Sequence, residues 1–106
     1  MMKGMIIMNM QKIMQEAKKM QVQLQKDQKE IEDKIYEGSS SLVKISMNGK
    51  YQVLSVKFEV EDDFTKDDIE ILEDMVQVAM NDVIKKINQE KEKKMGKYGQ
   101  GLAGLM

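Results

Sequence analysis

The sequence predicts an α+β fold in which a long N-terminal helix, a three-stranded antiparallel sheet and a C-terminal helix follow in the order α-β-β-β-α. Three observations predict it: a helix-forming run without glycine or proline, an Asn-Gly pair between two alternating apolar runs, and a second segment with apolar residues at helical spacing. The 106 residues suffice for one domain with a modest core. The predicted single domain covers 1–106, with a helix over 8–35, a sheet over 36–60, a helix over 65–95 and a flexible glycine-rich tail over 96–106.

The first helix is predicted over residues 8–35, because this run is rich in Gln, Lys, Glu and Met, which are good helix formers. At 1.5 Å per residue it would be about 42 Å long, which is more than a chain of this size can cover. We therefore expect part of it to project from the body or to pack on a second subunit. Apolar residues at spacings of three and four share one face, interrupted by Gln21 and Gln28: Met10, Ile13, Met14, Ala17, Met20, Leu24, Ile31 and Ile35.

Residues 42–58 read LVKISMNGKYQVLSVKF and predict a β-hairpin. Asn48 and Gly49 both tolerate the positive φ of a two-residue type I′ turn, which would pair Val43 with Leu54. A two-stranded ribbon is marginal alone, so helices and a third strand beginning near residues 34–37 are expected to pack on it. One face would carry Val43, Ile45, Met47, Leu54, Val56 and Phe58, and the other Leu42, Lys44, Ser46, Tyr51, Val53, Ser55 and Lys57.

The second helix is predicted to begin at Thr65, which caps it, with Asp67 and Asp68 favoured at its positive end. The neighbouring acids could instead hold a cation, but their spacing matches no calcium loop. The helix then carries an apolar face broad enough to be buried on the sheet and on a further surface: Ile69, Leu72, Met75, Val76, Ala79, Met80, Val83, Ile84 and Ile87.

The composition restricts the chemistry that the chain could perform. It contains no histidine and no cysteine, so the common nucleophile–base pairs and zinc ligand sets are missing, and we predict no enzyme, no metal and no cofactor. All basic residues are lysines, which suit phosphates as point charges, whereas reading guanine edges is mostly work for arginine. The short apolar start MMKGMII is too small for a stable membrane anchor, and a cytoplasmic location is expected.

The net charge of −1 conceals a strong segregation along the chain. Residues 1–29 and 85–106 each carry +4, residues 30–58 are neutral, and residues 59–84 carry −9. The field at a partner surface depends on local charge, so basic ends are compatible with phosphate binding. The alternative is that the lysine-rich ends are simply solvated helix faces.

Several segments, taken in order, resemble the YbaB/EbfC family of bacterial nucleoid-associated proteins. The opening helix MQKIMQEAKKM, the EGS turn before LVKI, the NGK turn, the LEDM and AMND segments of the second helix, and KMGK before a Gly-Leu tail all resemble the family pattern. A serine run stands where relatives often have several glycines. The set in this order covers nearly the whole chain.

The resemblance implies a tight homodimer whose helical ends project like tweezers around duplex DNA, with no catalysis and with a role in nucleoid organisation and gene regulation. Transferred by segment, it implies DNA contacts at Lys12, Lys18, Lys19, Lys26, Lys91, Lys93, Lys94 and Lys97. The candidate dimer interface comprises Leu42, Tyr51, Val53, Leu72, Met75, Val76, Ala79 and Met80.

A prefoldin-like chaperone or adaptor is the alternative interpretation. The order helix, hairpin, helix and the methionine-rich helix face both allow it, because methionine surfaces re-pack around varied partners. The first helix is short for a long coiled-coil arm, and the second loses its apolar face after Ile87.

Overall fold

The computed structural model describes the backbone of residues 2–98, and the side chains of residues 10–96 and of Tyr98. It confirms the predicted α-β-β-β-α order, and the antiparallel sheet has the strand order β1-β2-β3. Most of the predicted tail, residues 99–106, lies outside the described residues. The elements are helix α1 Met2–Asp33, strands β1 Ile35–Ser40, β2 Val43–Asn48 and β3 Val53–Phe58, a 3-10 turn Lys66–Asp68, helix α2 Ile69–Met95 and a 3-10 turn Gly96–Tyr98.

The core lies between α2 and the first two strands. Alternate residues of β2 point at the helix and are buried, as the two-residue period of a strand dictates. Gly38 lets β1 approach the helix backbone: a Cβ there would overlap the carbonyl oxygen of Ala79 and lie 2.5 Å from the backbone nitrogen of Val83. The buried cluster comprises Tyr36, Val43, Ile45, Met47, Ala79, Val83 and Ile87.

Polar contacts fix α2 along the outer edge of β1. The Ser39 backbone N–H donates to the Asp82 carboxylate at 3.2 Å, and the Lys86 ammonium lies 3.3 Å from the same carboxylate. These contacts, the Ser39 hydrogen bond first, hold the pKa of Asp82 below its usual value. The Lys86 ammonium also donates to the Glu37 carbonyl at 2.8 Å, so the helix and the strand edge share one hydrogen-bonded network.

The predicted two-residue hairpin turn is wrong. The Tyr51 N–H donates to the Asn48 carbonyl at 3.0 Å, and the Asn48 N–H donates to the Gln52 carbonyl at 3.1 Å. The loop therefore has three residues, Gly49–Tyr51, and Tyr51 takes the left-handed conformation with φ of 63°. An asparagine suits position 48 because its side-chain Oδ1 accepts hydrogen bonds from the backbone N–H groups of Lys50 and Gln52 at 2.9 and 3.1 Å.

The longer loop also changes the register of the hairpin. Val43 lies opposite Phe58, where the two-residue turn would pair it with Leu54. An irregularity between Ser46 and Met47 then sets Val53 opposite Met47, so that Val53, rather than Leu54, shares the face of Met47.

Gly49 is required by packing rather than by a left-handed backbone, since no described glycine has a positive φ. Its N–H donates to the Glu32 carbonyl at 3.1 Å, which places the hairpin loop against the last turn of α1. A Cβ on Gly49 would overlap the Ile31 carbonyl oxygen and lie 2.8 Å from the Glu32 Cα. The loop thus supports the point at which the first helix leaves the body.

Helix α1 extends far beyond the rest of the subunit. The molecule measures 84 × 20 × 15 Å with a radius of gyration of 22.3 Å, against about 13 Å for a compact chain of this length. The helix begins at Met2 rather than at residue 8, and it ends at Asp33 rather than at residue 35. Every side chain from residue 10 to residue 23 is exposed, so this portion projects as the sequence led us to expect.

Candidate nucleic-acid interface

The projecting part of α1, residues 10–26, is called the arm below. Its lysines Lys12, Lys19 and Lys26 are seven residues apart, so they lie close to one line along the helix at intervals of about 10 Å. All three are exposed, and Lys18 is exposed on an adjacent face. The arm therefore presents a row of ammonium groups that is free to approach a polyanion.

The opposite side of the arm is apolar and uncovered within the subunit. Met10, Ile13, Met14 and Met20 are each between 52 and 63% exposed. The helical face predicted from the sequence is thus real, but the subunit does not bury it along the arm. Only at the base of the arm does Ile31 become buried against α2 and the hairpin.

A buried carboxylate joins the base of the arm to the end of α2. Asp27 is only 7% exposed, and its carboxylate accepts from the Tyr98 hydroxyl at 2.7 Å and from the Gln23 amide at 3.0 Å. Hydrogen bonds to a charged, buried acceptor are among the stronger ones in proteins. This junction fixes the direction of the arm relative to α2. Sequence reasoning missed it, because nothing in the local pattern marks Asp27 or Tyr98.

The C-terminal lysines lie beside this junction, and two of them have partners within the subunit. The Lys94 ammonium lies 3.4 Å from Glu30 and 3.5 Å from Glu90, and the Lys91 ammonium lies 4.1 Å from the centre of the Tyr51 ring. Partial desolvation lowers the pKa of Lys94, but its contacts with the two carboxylates outweigh this and raise it overall.

The eight predicted lysines therefore fall into two unequal groups. The four on the arm are exposed, as is Lys93 on α2. Lys91 and Lys94 are half-buried and serve the contact between helices and hairpin. The side chain of Lys97 lies outside the described residues. Of the predicted lysines whose side chains are described, the arm thus holds four of the five that are exposed.

Two tyrosines at this end of the body differ in how their hydroxyls are satisfied. The Tyr36 hydroxyl is buried without a hydrogen-bond partner among the described residues, and burial, aided by the nearby Glu90, raises its pKa while Lys94 lowers it.

We expect Tyr36→Phe to leave the free energy of unfolding unchanged or to raise it by about 1 kcal/mol. Tyr98→Phe should lower it by about 1–2 kcal/mol, because Asp27 loses a donor.

Chemical denaturation of the two variants beside the parent measures both effects. A loss of stability in Tyr36→Phe as large as that in Tyr98→Phe would contradict the assignment of the hydroxyls.

The structure places the predicted dimer-interface residues in different parts of the fold. Tyr51 lies near the arm base, hydrogen-bonded through its hydroxyl to Asn88. Leu42, Leu72 and Met75 line a groove at the opposite end of α2. Ala79 is 0% exposed inside the subunit, so its side chain is not available to a second copy.

An exposed apolar surface lies on β3 and joins Val53, which the sequence predicted on the other face, to Val56 and Phe58. Helix α2 covers β1 and β2, whereas Val53, Val56 and Phe58 of β3 remain 44–49% exposed on the face that continues the core. Val76 and Met80 on α2 are only partly buried. The alternation of residues in β3 predicted an apolar face, but only the structure shows that the helix leaves it open.

The described residues hold no cluster of acidic side chains with the geometry of a metal site. In that same part of the chain, no helix combines the length and the apolar character that crossing a bilayer requires.

The chain is similar to known proteins over nearly its whole length. Residues 5–102 match the family model described as the YbaB/EbfC DNA-binding family. A nucleoid-associated protein of Ligilactobacillus salivarius is 36% identical over 102 residues, which cover 92% of this chain and 95% of the relative. Nucleoid-associated proteins of Francisella tularensis and Legionella pneumophila are 41 and 34% identical, over 76 and 89% of this chain and 72 and 84% of their own lengths.

Proposed function

We propose, from the premise that this chain belongs to the YbaB/EbfC DNA-binding family, that it binds duplex DNA as a homodimer through lysine–phosphate contacts with little sequence specificity. It would act on the nucleoid, in the cytoplasm, and contribute to nucleoid organisation and gene regulation. The observation that carries the proposal is the row of exposed lysines on the arm. An exposed helix with ammonium groups about 10 Å apart can follow a phosphate backbone without entering a groove.

Lysine–phosphate contact explains how such binding gains free energy. Each neutralised phosphate releases counterions condensed on the duplex, and this release favours the complex most at low salt. The chain has no arginine for bidentate contacts with guanine, so base readout would be weak. Affinity should therefore vary little between duplexes of different sequence.

The proposed dimer would place two arms on one particle. The open apolar face of β3, with Val53, Val56 and Phe58, is the surface that supports this part of the proposal. Isolated exposed apolar residues are common on proteins, but several adjoining ones on an uncovered sheet face are typical of an interface. Two copies joined there would double the number of phosphates contacted.

A salt series of duplex binding tests the proposal. Fluorescence anisotropy with a labelled duplex should give a plot of log affinity against log salt that is linear with a slope of about −7, if all eight arm lysines of a dimer contact phosphates. The oligomeric state is measured in the same buffers by light scattering.

A second duplex of unrelated sequence serves as the control and should give nearly the same affinity and slope. An affinity that does not change between low and moderate salt would contradict the phosphate mechanism. A monomeric mass at concentrations that saturate the duplex would contradict the dimer alone.

An adaptor that acts through protein contacts is the second candidate. The exposed methionine side chains of the arm favour it, since the unbranched, flexible side chain of methionine adapts to varied partners. A particle larger than a dimer that shows no affinity for DNA at low salt would support this function over the first.

A further inference from the structure

An apolar groove lies at the beginning of α2, at the opposite end of that helix from the arm base. It has a volume of about 290 Å³, and its apolar lining is Leu42, Phe64, Ile71, Leu72 and Met75. The charged groups at the groove are Glu61, Asp63 and Asp68. This combination of an apolar floor with acidic edges is called the acidic groove below.

The loop that forms one edge of the acidic groove is held in place by local hydrogen bonds. The Phe64 N–H donates to the Glu61 carbonyl at 3.1 Å, and the Thr65 N–H donates to the Asp68 carboxylate at 2.8 Å. Asp68 is therefore engaged in capping the helix, whereas Glu61 and Asp63 are exposed. The surrounding segment, residues 59–84, carries a net charge of −9.

The arm has the complementary character. Met10, Met14 and Lys18 follow one another at intervals of four residues, so they are neighbours along one side of α1. Met10 and Met14 are 58 and 59% exposed, and the flexible, unbranched side chain of methionine fits irregular apolar space. A lysine one turn away would then meet the acidic edge.

We propose that the acidic groove of one copy binds the arm of another copy, with Met10 or Met14 in the groove and Lys18 beside Glu61 and Asp63. Apolar burial and opposite charge would act at the same contact, which favours this pairing over arm against arm, where the lysines repel.

The contact must join two copies rather than close within one. The groove lies near residue 71 of α2, and the arm base lies near residue 95, which is about 36 Å further along the helix at 1.5 Å per residue. The arm then extends away from this base. A head-to-tail contact between two different surfaces closes into a ring only where the rotation between neighbours allows it, and otherwise repeats to form open chains of molecules.

This assembly goes beyond the proposed function and competes with it. Lys18 cannot contact a carboxylate pair and a phosphate at the same time, so duplex DNA should disperse the chains. The acidic groove would then bind those arms that are not bound to DNA, and the protein would assemble where DNA is scarce.

Sedimentation velocity of the full chain at low ionic strength, without DNA, tests the inference. We expect species larger than the smallest oligomer to grow with protein concentration, and to decrease as salt screens the charges. The double variant Glu61→Lys, Asp63→Lys should weaken this association by at least about tenfold. The matched control Asp33→Lys, Glu92→Lys makes the same change in net charge at exposed sites away from the groove. This control variant should associate like the parent.

The decisive part of the experiment exchanges the charges of the two contacting surfaces. The arm double variant Lys18→Glu, Lys19→Glu should also form no species beyond the smallest oligomer. Mixing this arm variant with the groove double variant should restore association between the two proteins. Circular dichroism confirms that each variant is folded. A parent protein without larger species at low salt, a groove double variant that associates like the parent, or a mixture that does not associate would each overturn the inference. The groove variant should still bind duplex DNA, so failure here is distinguishable from failure of DNA binding.

Discussion

Gly49→Ala is expected to lower the free energy of unfolding by about 3 kcal/mol. The added Cβ would overlap the Ile31 carbonyl oxygen and press on the Glu32 Cα, which are backbone atoms of a helix and cannot rotate away. Either the hairpin loop or the last turn of α1 must move. Movement of the loop breaks the hydrogen bond from the Gly49 N–H to the Glu32 carbonyl, and movement of the helix turn redirects the arm.

Thermal and urea unfolding followed by circular dichroism measures the loss. Gly96→Ala is the matched control, because it adds the same methyl group where nothing lies within 4 Å of the new Cβ, and where φ of −59° and ψ of −32° are helical. This control should gain about 0.4–1 kcal/mol through reduced entropy of the unfolded chain. Equal effects of the two substitutions would contradict the close packing of the loop on α1.

The hairpin shows why a correct local signal gave an incorrect turn. Asn48-Gly49 between alternating apolar runs does mark a hairpin, and β2 and β3 are where the alternation predicts them. The glycine is needed for its missing side chain, since the helix backbone at Ile31 lies against it. That neighbour is distant in sequence, so a pattern confined to the hairpin could not identify the loop length or the residue with positive φ.

The first helix was predicted correctly as a helix, but its beginning was predicted at residue 8 rather than at Met2. The predicted helix was a run without glycine, whereas residues 2–7 contain Gly4, yet the helix includes them. A glycine within a helix costs about 1 kcal/mol, which is too little to end a helix that propagates one hydrogen bond per residue. The periodic apolar face was correct as a pattern. It did not reveal that only its C-terminal part, at Ile31, is buried in the subunit.

The site could be predicted as a distribution of charge but not as a set of available groups. Counting lysines located both basic segments, and α1 presents its lysines to solvent because the helix projects. The second segment differs because Lys94 meets Glu30 and Lys91 meets Tyr51, partners 64 and 40 positions away. Which lysines are free depends on tertiary contacts, and these do not follow from spacing along one helix.

Replacing the four arm lysines Lys12, Lys18, Lys19 and Lys26 with glutamine is expected to weaken duplex binding by at least roughly 100-fold at moderate salt. Each lysine that contacts a phosphate contributes close to one unit of the salt slope, so the slope of the quadruple variant should approach zero. Glutamine keeps a long polar side chain and good helix propensity, so the arm itself should persist. Anisotropy with the same labelled duplexes across a salt series measures both quantities.

The matched control replaces Lys44, Lys57, Lys66 and Lys85, which are also exposed but lie on the body, with glutamine. Both quadruple variants have the same net charge, so any difference between them reports where the lysines are. If general attraction of the whole protein to a polyanion governed binding, the two variants would lose affinity equally. A loss confined to the arm variant, and equal for unrelated duplexes, requires contact at the arm, because position along α1 is then the property that distinguishes the two sets of lysines.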